Sequence, residues 1–378
     1  MQWSEIMQKQ PRERWDLGNL QQCPEYEVLE EDAEGIRSVL YASEPYLGRN
    51  TRVFAYLGVP KGEQPVPGMV LVHGGGGTAF KEWVQLWNRR GYAAIAMDLA
   101  GCGPERQPLP DGGPDQDEET KFFRLFKDGW ENSWTYHAIA AIMRAHSLLK
   151  ALPGVDGNRI GLTGISWGGY LTCIAAAVDS RFVCAIPVYG CGFLKDNSKW
   201  LGQFAKMTRE EQEIWVQLCD PSSYLGLSEI PMLFVNGTND HAYPLDSYKR
   251  SYSLVRSPVS LAVRVGMGHS HEKGWAPEEI YRFADAWLRN GPMLPRIGSL
   301  TLAHDRVTAQ VTGEEIERAL FCYTLDTGEW VKRVWQVTPA EVKAGTVEAS
   351  LPPGTTVCFL AVEDGAGGYA SSPHWEVG

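Results

Sequence analysis

The chain has 378 residues, of which 44% are hydrophobic and 21% are charged, and this ordinary globular composition excludes a disordered or fibrous protein. The formal net charge of −11 disfavours binding to nucleic acids or to anionic membrane surfaces, because like charges repel. The N-terminus lacks the apolar core of a signal peptide and no apolar run is long enough to span a membrane, so we expect a cytoplasmic protein.

The eight cysteines are scattered through the chain and include neither a C-x-x-C pair nor a cluster with zinc-ligand spacing. Several of them stand in apolar runs, which is typical of buried free thiols. We therefore expect reduced cysteines and no structural metal.

The first predicted elements are short helical turns over residues 1–25 and antiparallel strands over residues 26–59, where apolar and polar residues alternate. Beyond residue 60, short apolar runs alternate with amphipathic stretches. The expected strands are 68–72, 93–97, 159–165, 184–188, 231–235 and 259–265. The expected helices are 81–90, 133–152, 167–178, 245–255 and 276–290. This alternation predicts an α/β fold with a mostly parallel sheet and helices on both faces.

Two segments interrupt this alternation, and the C-terminal region changes character. Residues 101–129 and 193–226 are expected to be either cap-like insertions over a pocket or plain surface insertions. Residues 296–378 contain short strand-like runs that predict a small all-β sandwich, with a hairpin turn at 326–328. The predicted organisation is an N-terminal extension with the first strands (1–60), a catalytic core (61–295) and a C-terminal β-sandwich (296–378).

The strongest chemical signal is the sequence G-I-S-W-G around Ser166, which matches the G-x-S-x-G pattern. A predicted strand ends there and a predicted helix begins, which is the setting of a nucleophile elbow. A serine hydroxyl is a weak nucleophile and needs a base. The expected chain order is serine, acid, histidine, and Asp240 and His269 follow the next predicted strands in that order. His271 is a competitor that spacing alone does not exclude.

A glycine run follows the first parallel strand, in the sequence His73-Gly-Gly-Gly-Gly. Backbone N–H groups in this loop are expected to complete an oxyanion hole. We predict one donor from Trp167 and one from Gly75 or Gly76. A phosphate-binding loop is disfavoured because the G-K-[ST] ending is missing, and a dinucleotide-binding spacing is also absent. No cofactor is expected.

Three further residues are candidates for the substrate pocket, namely Trp167, Tyr189 and Cys191, because each follows the elbow or the strand beside it. Helix or core packing is the alternative for each of them. Tryptophans of the C-terminal region suggest either a sugar-binding platform or, more often, the core of a sandwich (Trp330, Trp335, Trp375).

The motifs HGGGG, GISWGG, NGTNDHAYP and GMGHSH, in this order, resemble those of the α/β-hydrolase superfamily over about residues 60–290. Within it the chain is similar to acetyl xylan esterases, dienelactone hydrolases and prolyl-oligopeptidase-like enzymes. The resemblance implies cofactor-free serine hydrolysis of an ester or, less often, an amide. Trp167 departs from the glutamine usual after the serine of cephalosporin-deacetylase-type acetyl xylan esterases.

These observations together predict a serine esterase. It would cleave acetyl or short-chain acyl esters, with carbohydrates among the candidate alcohols, through an acyl-enzyme on Ser166. A small-peptide hydrolase is the alternative enzyme, and a non-catalytic binding protein is the alternative of another class. The expected partner is a small-molecule ester, with no nucleic acid and no membrane, and homo-oligomerisation is left open.

Overall fold

The large sheet of the protein has nine strands. The computed structural model describes residues 2–313 and 315–377. The strands, in chain order, are β1 (Tyr26–Glu31), β2 (Ile36–Tyr46), β3 (Arg49–Gly58), β4 (Val66–Val72), β5 (Ala93–Met97), β6 (Val155–Ile165), β7 (Ala185–Val188), β8 (Met232–Gly237) and β9 (Val259–Arg264). Their spatial order is β1-β2-β3-β5-β4-β6-β7-β8-β9. The first three are antiparallel, and β4 to β9 are parallel to one another.

The described residues form twelve helices. They are α1 (Gln2–Gln8), α2 (Leu17–Leu20), α3 (Lys81–Arg89), α4 (Glu118–Phe122), α5 (Arg124–Asp128), α6 (Trp134–Ala151), α7 (Trp167–Val178), α8 (Leu201–Phe204), α9 (Arg209–Cys219), α10 (Leu245–Tyr252), α11 (His271–Trp275) and α12 (Glu278–Arg289). Of these, α3, α6, α7 and α12 pack against strands of the large sheet. Short 3-10 turns lie at Pro11–Arg14, Pro104–Arg106, Trp130–Asn132, Pro221–Ser223, Leu225–Leu227 and Trp330–Lys332. No helix among the described residues is both long enough and apolar enough to cross a membrane.

The N-terminal segment covers α6, whose residues from Trp134 to Leu149 are all buried. Trp15 donates its indole N–H to the carbonyl of Tyr136, and Ser147 donates to the carbonyl of Leu20. A helix that is covered all round carries apolar residues on every face, which explains why the α6 sequence has little amphipathic pattern. The predicted helical turns of the N-terminal segment are therefore present within residues 2–25, and they pack against α6; residue 1 lies outside the described residues.

Two antiparallel sheets follow α12. Their strands are β10 (Arg296–Ile297), β11 (Thr301–Ala303), β12 (Arg306–Thr312), β13 (Ile316–Thr324), β14 (Trp335–Pro339), β15 (Glu341–Lys343), β16 (Thr346–Ser350), β17 (Val357–Asp364), β18 (Tyr369–Ser371) and β19 (Trp375–Glu376). One sheet has the order β10-β12-β16-β15 with β11 beside β12, and the other β14-β13-β17-β18 with β19 beside β17. The predicted fold class, an α/β sheet with a C-terminal β part, is confirmed.

Strand β17 shows how the second antiparallel sheet is held between two cores. Cys358, Leu360 and Val362 pack into the core shared by the two small sheets. Phe359 and Ala361, which point to the other face, pack into the core of the large sheet. The continuous apolar run of this strand therefore reflects burial on both faces, and its residues join the C-terminal sheets to the core of the large sheet.

The structure adds detail in one insertion and corrects one predicted turn. The insertion 101–129 contains the two short helices α4 and α5. The hairpin between β13 and β14 exists, but its connection spans residues 325–334 and is not a tight turn at 326–328. The reason is tertiary: Trp330 is buried, with its ring 5.3 Å from that of His374, so residues 330–332 form a 3-10 turn and do not continue the strand.

Candidate active site

Ser166 stands at the sharp turn between β6 and α7. Its backbone has φ 60° and ψ −117°, a conformation that is strained for a residue with a side chain. Its N–H donates to the carbonyl of Val188 on the neighbouring strand at 2.8 Å, which holds the turn in place. The strained turn lifts the hydroxyl above the carboxyl edge of the parallel sheet, where α/β proteins bind their ligands.

The glycines around Ser166 are required by close backbone packing. A Cβ on Gly164 would lie 2.2 Å from the carbonyl oxygen of Gly168, and one on Gly168 would lie 2.0 Å from that of Val72. A Cβ on Gly190, at the end of β7, would lie 1.9 Å from the nitrogen of Tyr170. Side chains at these positions would push the helix away from the sheet, so the glycine pattern has a structural cause.

The structure brings Ser166, His269 and Asp240 into one chain of hydrogen bonds. His269 Nε2 lies 2.8 Å from Ser166 Oγ, and His269 Nδ1 lies 2.6 Å from Asp240 Oδ2. The other carboxylate oxygen of Asp240 accepts the N–H groups of Ala242 and Tyr243 at 2.8 and 2.7 Å. Because a carboxylate only accepts, the proton of the imidazole belongs on Nδ1, which leaves Nε2 free to accept the serine proton.

His271, the competitor of His269, has a different role in the geometry. Its Nε2 accepts the N–H of Gly74 at 2.9 Å, and its ring lies 4.6 Å from that of Phe80. Burial lowers the pKa of His271 to about 4, which keeps the ring neutral. His271 therefore anchors the glycine loop and does not contact Ser166 Oγ.

Two further titratable residues near the site, Asp98 and His241, lie outside this chain of hydrogen bonds. Asp98 accepts the N–H groups of Ala100 and Cys102 and so holds its own loop. The exposed His241 has its ring 4.9 Å from that of His269, although it follows a different strand.

In the described part of the chain, two N–H groups of the glycine loop after β4 donate no hydrogen bond. The N–H of Gly74 is taken by His271, and the N–H of Gly77 donates to the carbonyl of Gly74 at 3.1 Å. Gly75 and Gly76 remain, and Gly76 has a φ of 68°, which favours glycine. A Cβ on Gly75 would lie 2.7 Å from Trp167 Cδ1, so this loop and the start of α7 meet beside Ser166.

The two insertions meet above Trp167. Phe122 of α4 stacks on Trp215 of α9 with ring centroids 5.1 Å apart, and Trp200 donates its indole N–H to Glu118 at 3.2 Å. The ring of Trp167 contacts Trp200 at 4.5 Å and Phe122 at 5.9 Å. These contacts tie the two segments together over the residue that follows the serine.

Tyr189 and Cys191 are both fully buried. The ring of Tyr189 stacks against that of His269 with centroids 4.3 Å apart, and its hydroxyl donates to the carbonyl of Gly268 at 2.7 Å. Tyr189 therefore packs against one face of the His269 imidazole and restricts its orientation. The thiol of Cys191 lies 3.3 Å from the carbonyl of Gly192, and burial raises its pKa well above the usual range.

One group of potential metal ligands is present among the described residues, formed by Asp240, His241 and His269 with donor atoms within 4.8 Å of one another. Both ring nitrogens of His269 already take part in hydrogen bonds to Asp240 and Ser166. The arrangement suits proton transfer better than metal binding, which needs a free nitrogen lone pair.

Sequence reasoning missed Asn239, which links the acid loop to the C-terminal sheets. Its side-chain amide donates to the carbonyls of Val331 and Arg333 at 3.2 and 2.7 Å. The position beside Asp240 was the only available signal, because these partners are more than 90 residues away in the chain.

Comparison with known families now adds the class of protein. The chain matches the model of the acetyl xylan esterase (AXE1) family over residues 15–218, more than half of its length. The chain belongs to this family. The matched range includes Ser166 and ends before Asp240 and His269.

Known family members are similar at low sequence identity. The curated acetyl esterase Axe7A of Xylanibacter ruminicola is 22% identical over 253 residues, which are 64% of this chain and 56% of that protein. The solved acetyl xylan esterase from Paenibacillus sp. R4 has a TM-score of 0.61 and 21% identity, covering 76% of this chain and all of that one. Acetyl xylan esterase 1 from Thermoanaerobacterium sp. JW/SL YS485 has a TM-score of 0.57 and 18% identity, covering 75% and 92%.

These findings confirm the resemblance to α/β-hydrolases. The names of the family and of the curated relative indicate carboxylic ester hydrolysis, although the chain matches only about half of that relative's length. The two solved structures support the shared fold.

Proposed function

We propose that the protein is a serine hydrolase that cleaves carboxylic esters with acetyl or short acyl groups through an acyl-enzyme on Ser166. The observation that carries this proposal is the hydrogen-bond chain from Asp240 through His269 to Ser166 Oγ, built on a strained turn. Membership of the acetyl xylan esterase family supports the choice of ester over amide.

In the proposed reaction, Ser166 Oγ attacks the acyl carbon while His269 Nε2 takes the hydroxyl proton. Asp240 stabilises the resulting imidazolium and holds its orientation. His269 then gives the proton to the departing alcohol oxygen, and the acyl group remains on Ser166. A water molecule, deprotonated by His269, attacks the acyl carbon and releases the carboxylic acid and the free serine.

The proposed oxyanion hole is formed by the N–H of Trp167 and that of Gly75 or Gly76. A typical donor of this kind contributes about 2.7–4 kcal/mol to transition-state stabilisation. The partly buried hydrogen bond between Gly74 and His271 holds the loop close to α7, so the donors are in place before substrate binds.

The proposed preference for short acyl groups rests on the surroundings of Trp167. Its side chain is only 3% exposed and is packed on several sides by other aromatic rings (Phe122, Trp134, Tyr170, Trp200). An acyl chain entering beside Gly75 therefore meets a fixed aromatic wall and not a flexible channel.

The test is hydrolysis of p-nitrophenyl acetate by native protein and by Ser166→Ala, with Ser180→Ala, an exposed serine after α7, as the matched control. We expect Ser166→Ala to lower kcat by at least about 10³-fold, because the nucleophile is lost. Undiminished activity of Ser166→Ala would overturn the proposal. Faster turnover of short peptide substrates than of esters would instead favour the peptidase alternative.

A further inference from the structure

A lysine whose side chain is largely buried, and which forms no ion pair among the described residues, lies in the cap of an acidic protein. Lys121, on α4, is only 7% exposed. Among the described residues, no carboxylate lies within 4.0 Å of its ammonium group and no hydrogen bond reaches it. Burial lowers the pKa of Lys121 to about 8, although Glu118, Asp117 and Asp115 act on it from farther away. The side chain is otherwise buried, but the ammonium nitrogen itself retains some solvent exposure, so it is accessible to a ligand.

The ammonium of Lys121 lies against the residue that follows the proposed nucleophile. Its Nζ stands 4.4 Å from the centre of the Trp167 ring, and this ring borders Gly75 of the glycine loop. The contact with the ring is a cation–π interaction. It leaves the three N–H donors of the ammonium without a hydrogen-bond acceptor among the described residues.

Two further cations surround the same site. A Cβ on Gly76 would lie 3.9 Å from Arg106 Nη2, which places this guanidinium beside the glycine loop. Lys199 is close enough to Lys121 and to His241 to lower the pKa of both. In the described part of the chain, neither Arg106 nor Lys199 forms an ion pair. Three cations without an ion pair among the described residues therefore lie around the site, although the whole chain has a net charge of −11.

Structural partners do not account for this arrangement. The acidic residue on the same helix, Glu118, is engaged by Trp200 and Gln203 of the other insertion. The backbone carbonyl of Lys121 accepts the indole N–H of Trp215, but this bond does not involve the ammonium. Among the described residues the ammonium of Lys121 therefore has no ion pair, and an anionic group of a ligand would form a charge-assisted hydrogen bond with it.

We propose that the ester substrate carries a carboxylate, which Lys121 binds, with Arg106 and Lys199 attracting the anion at the mouth of the site. This inference rests on the proposed esterase function and names the substrate class of that same site. The carboxylate is carried on either the acyl or the alcohol half of the ester.

Two matched pairs of esters show whether the carboxylate is carried on the acyl half or on the alcohol half of the substrate. For the acyl half, the pair is p-nitrophenyl hemisuccinate and p-nitrophenyl butyrate. For the alcohol half, the pair is 4-acetoxybenzoate and 4-acetoxybenzamide. The ratio of kcat/KM within each pair is compared between native protein and Lys121→Met, so that differences in intrinsic reactivity cancel.

We expect Lys121→Met to lower the ratio for one pair by about 10- to 100-fold, the size of a lost charge-assisted hydrogen bond. Lys121→Arg should restore part of the ratio, and Lys127→Met, an exposed lysine on α5, should leave it unchanged. Unchanged ratios in both pairs would overturn the inference while leaving the esterase proposal intact.

A binding measurement covers the case in which no ester is turned over, which would refute the esterase proposal. Calorimetry of 4-hydroxybenzoate and 4-hydroxybenzamide with native protein and Lys121→Met then tests the anion site directly. Tighter binding of the carboxylate that disappears in Lys121→Met supports the site, and equal binding of both compounds overturns it.

Discussion

Replacing Asp240 by asparagine tests whether this carboxylate sets the proton position on His269. In the native protein, Asp240 Oδ1 accepts two backbone N–H groups at 2.8 and 2.7 Å, and Oδ2 faces His269 Nδ1 at 2.6 Å. In Asp240→Asn, the amide oxygen must keep the backbone position, because an NH₂ group there would leave two buried N–H donors unpaired. That alternative costs about 1–3 kcal/mol for each donor.

The amide NH₂ of the variant therefore points at His269 Nδ1. The imidazole has to accept at Nδ1 and carries its proton on Nε2, where it faces Ser166 Oγ at 2.8 Å. A protonated Nε2 cannot take the serine proton. We expect kcat to decrease by about 10⁴-fold, equal to about 5.5 kcal/mol, the loss typical of a triad carboxylate replaced by its amide.

The assay is the steady-state hydrolysis of p-nitrophenyl acetate near pH 7, with Asp246→Asn as the control. Asp246 has the same charge and lies on α10, where it accepts hydrogen bonds from Asn197. The control should keep native kcat. Retention of more than a tenth of native kcat by Asp240→Asn would refute the reasoning, because the lost interaction would then be worth less than about 1.4 kcal/mol.

Three other predictions concern stability. Gly190→Ala places a Cβ 1.9 Å from the nitrogen of Tyr170, so it should lower the free energy of unfolding in urea by more than about 3 kcal/mol. Gly202→Ala is the control, because a Cβ there meets no atom within 4 Å, and it should not lower the free energy of unfolding. Equal stability of the two variants would contradict this prediction. Asn239→Ala removes the amide that donates to the carbonyls of Val331 and Arg333. The variant should lower the free energy of unfolding by about 1–2 kcal/mol and lower kcat severalfold. Native values of both quantities would contradict this prediction. Burial lowers the pKa of four histidines from 6.5 to between about 3 and about 4 (His73, His137, His146, His271). As pH falls from 6.5 towards 4, these histidines bind protons in the unfolded chain but not in the folded one, so the free energy of unfolding should decrease by about 1.4 kcal/mol per pH unit for each histidine, less the opposing contribution of buried Asp98. Urea denaturation over this pH range measures the decrease, and a flat profile would contradict the prediction.

The parallel part of the fold was predictable because its strands and helices depend on local patterns. Strand β5 and helix α7 have the predicted bounds. For β5 the signal was its continuous apolar run, which is typical of a strand buried on both faces. The hairpin between β13 and β14 was predicted correctly, but the prediction of its turn at 326–328 was wrong, because the connection spans residues 325–334. Burial of Trp330 against His374, which is distant in sequence, decides the shape of that connection.

The candidate site divides in the same way. The position of Ser166 followed from a motif in the right strand-turn-helix setting. The choice between His269 and His271 did not, because both follow β9 and only the partner of each ring separates them. Lys121 and Asn239 gave no usable signal in the sequence, since their importance comes from contacts between segments that are far apart in the chain.

The most direct test of the central claim is labelling of the purified protein with a fluorophosphonate probe, followed by peptide mass spectrometry to locate the adduct. His269→Ala and His271→Ala are treated in parallel. We predict an adduct on Ser166 in native protein and in His271→Ala, and no adduct in His269→Ala, because only His269 Nε2 is placed to take the Ser166 proton. An adduct on another residue, no adduct in folded native protein, or full labelling of His269→Ala would contradict the account.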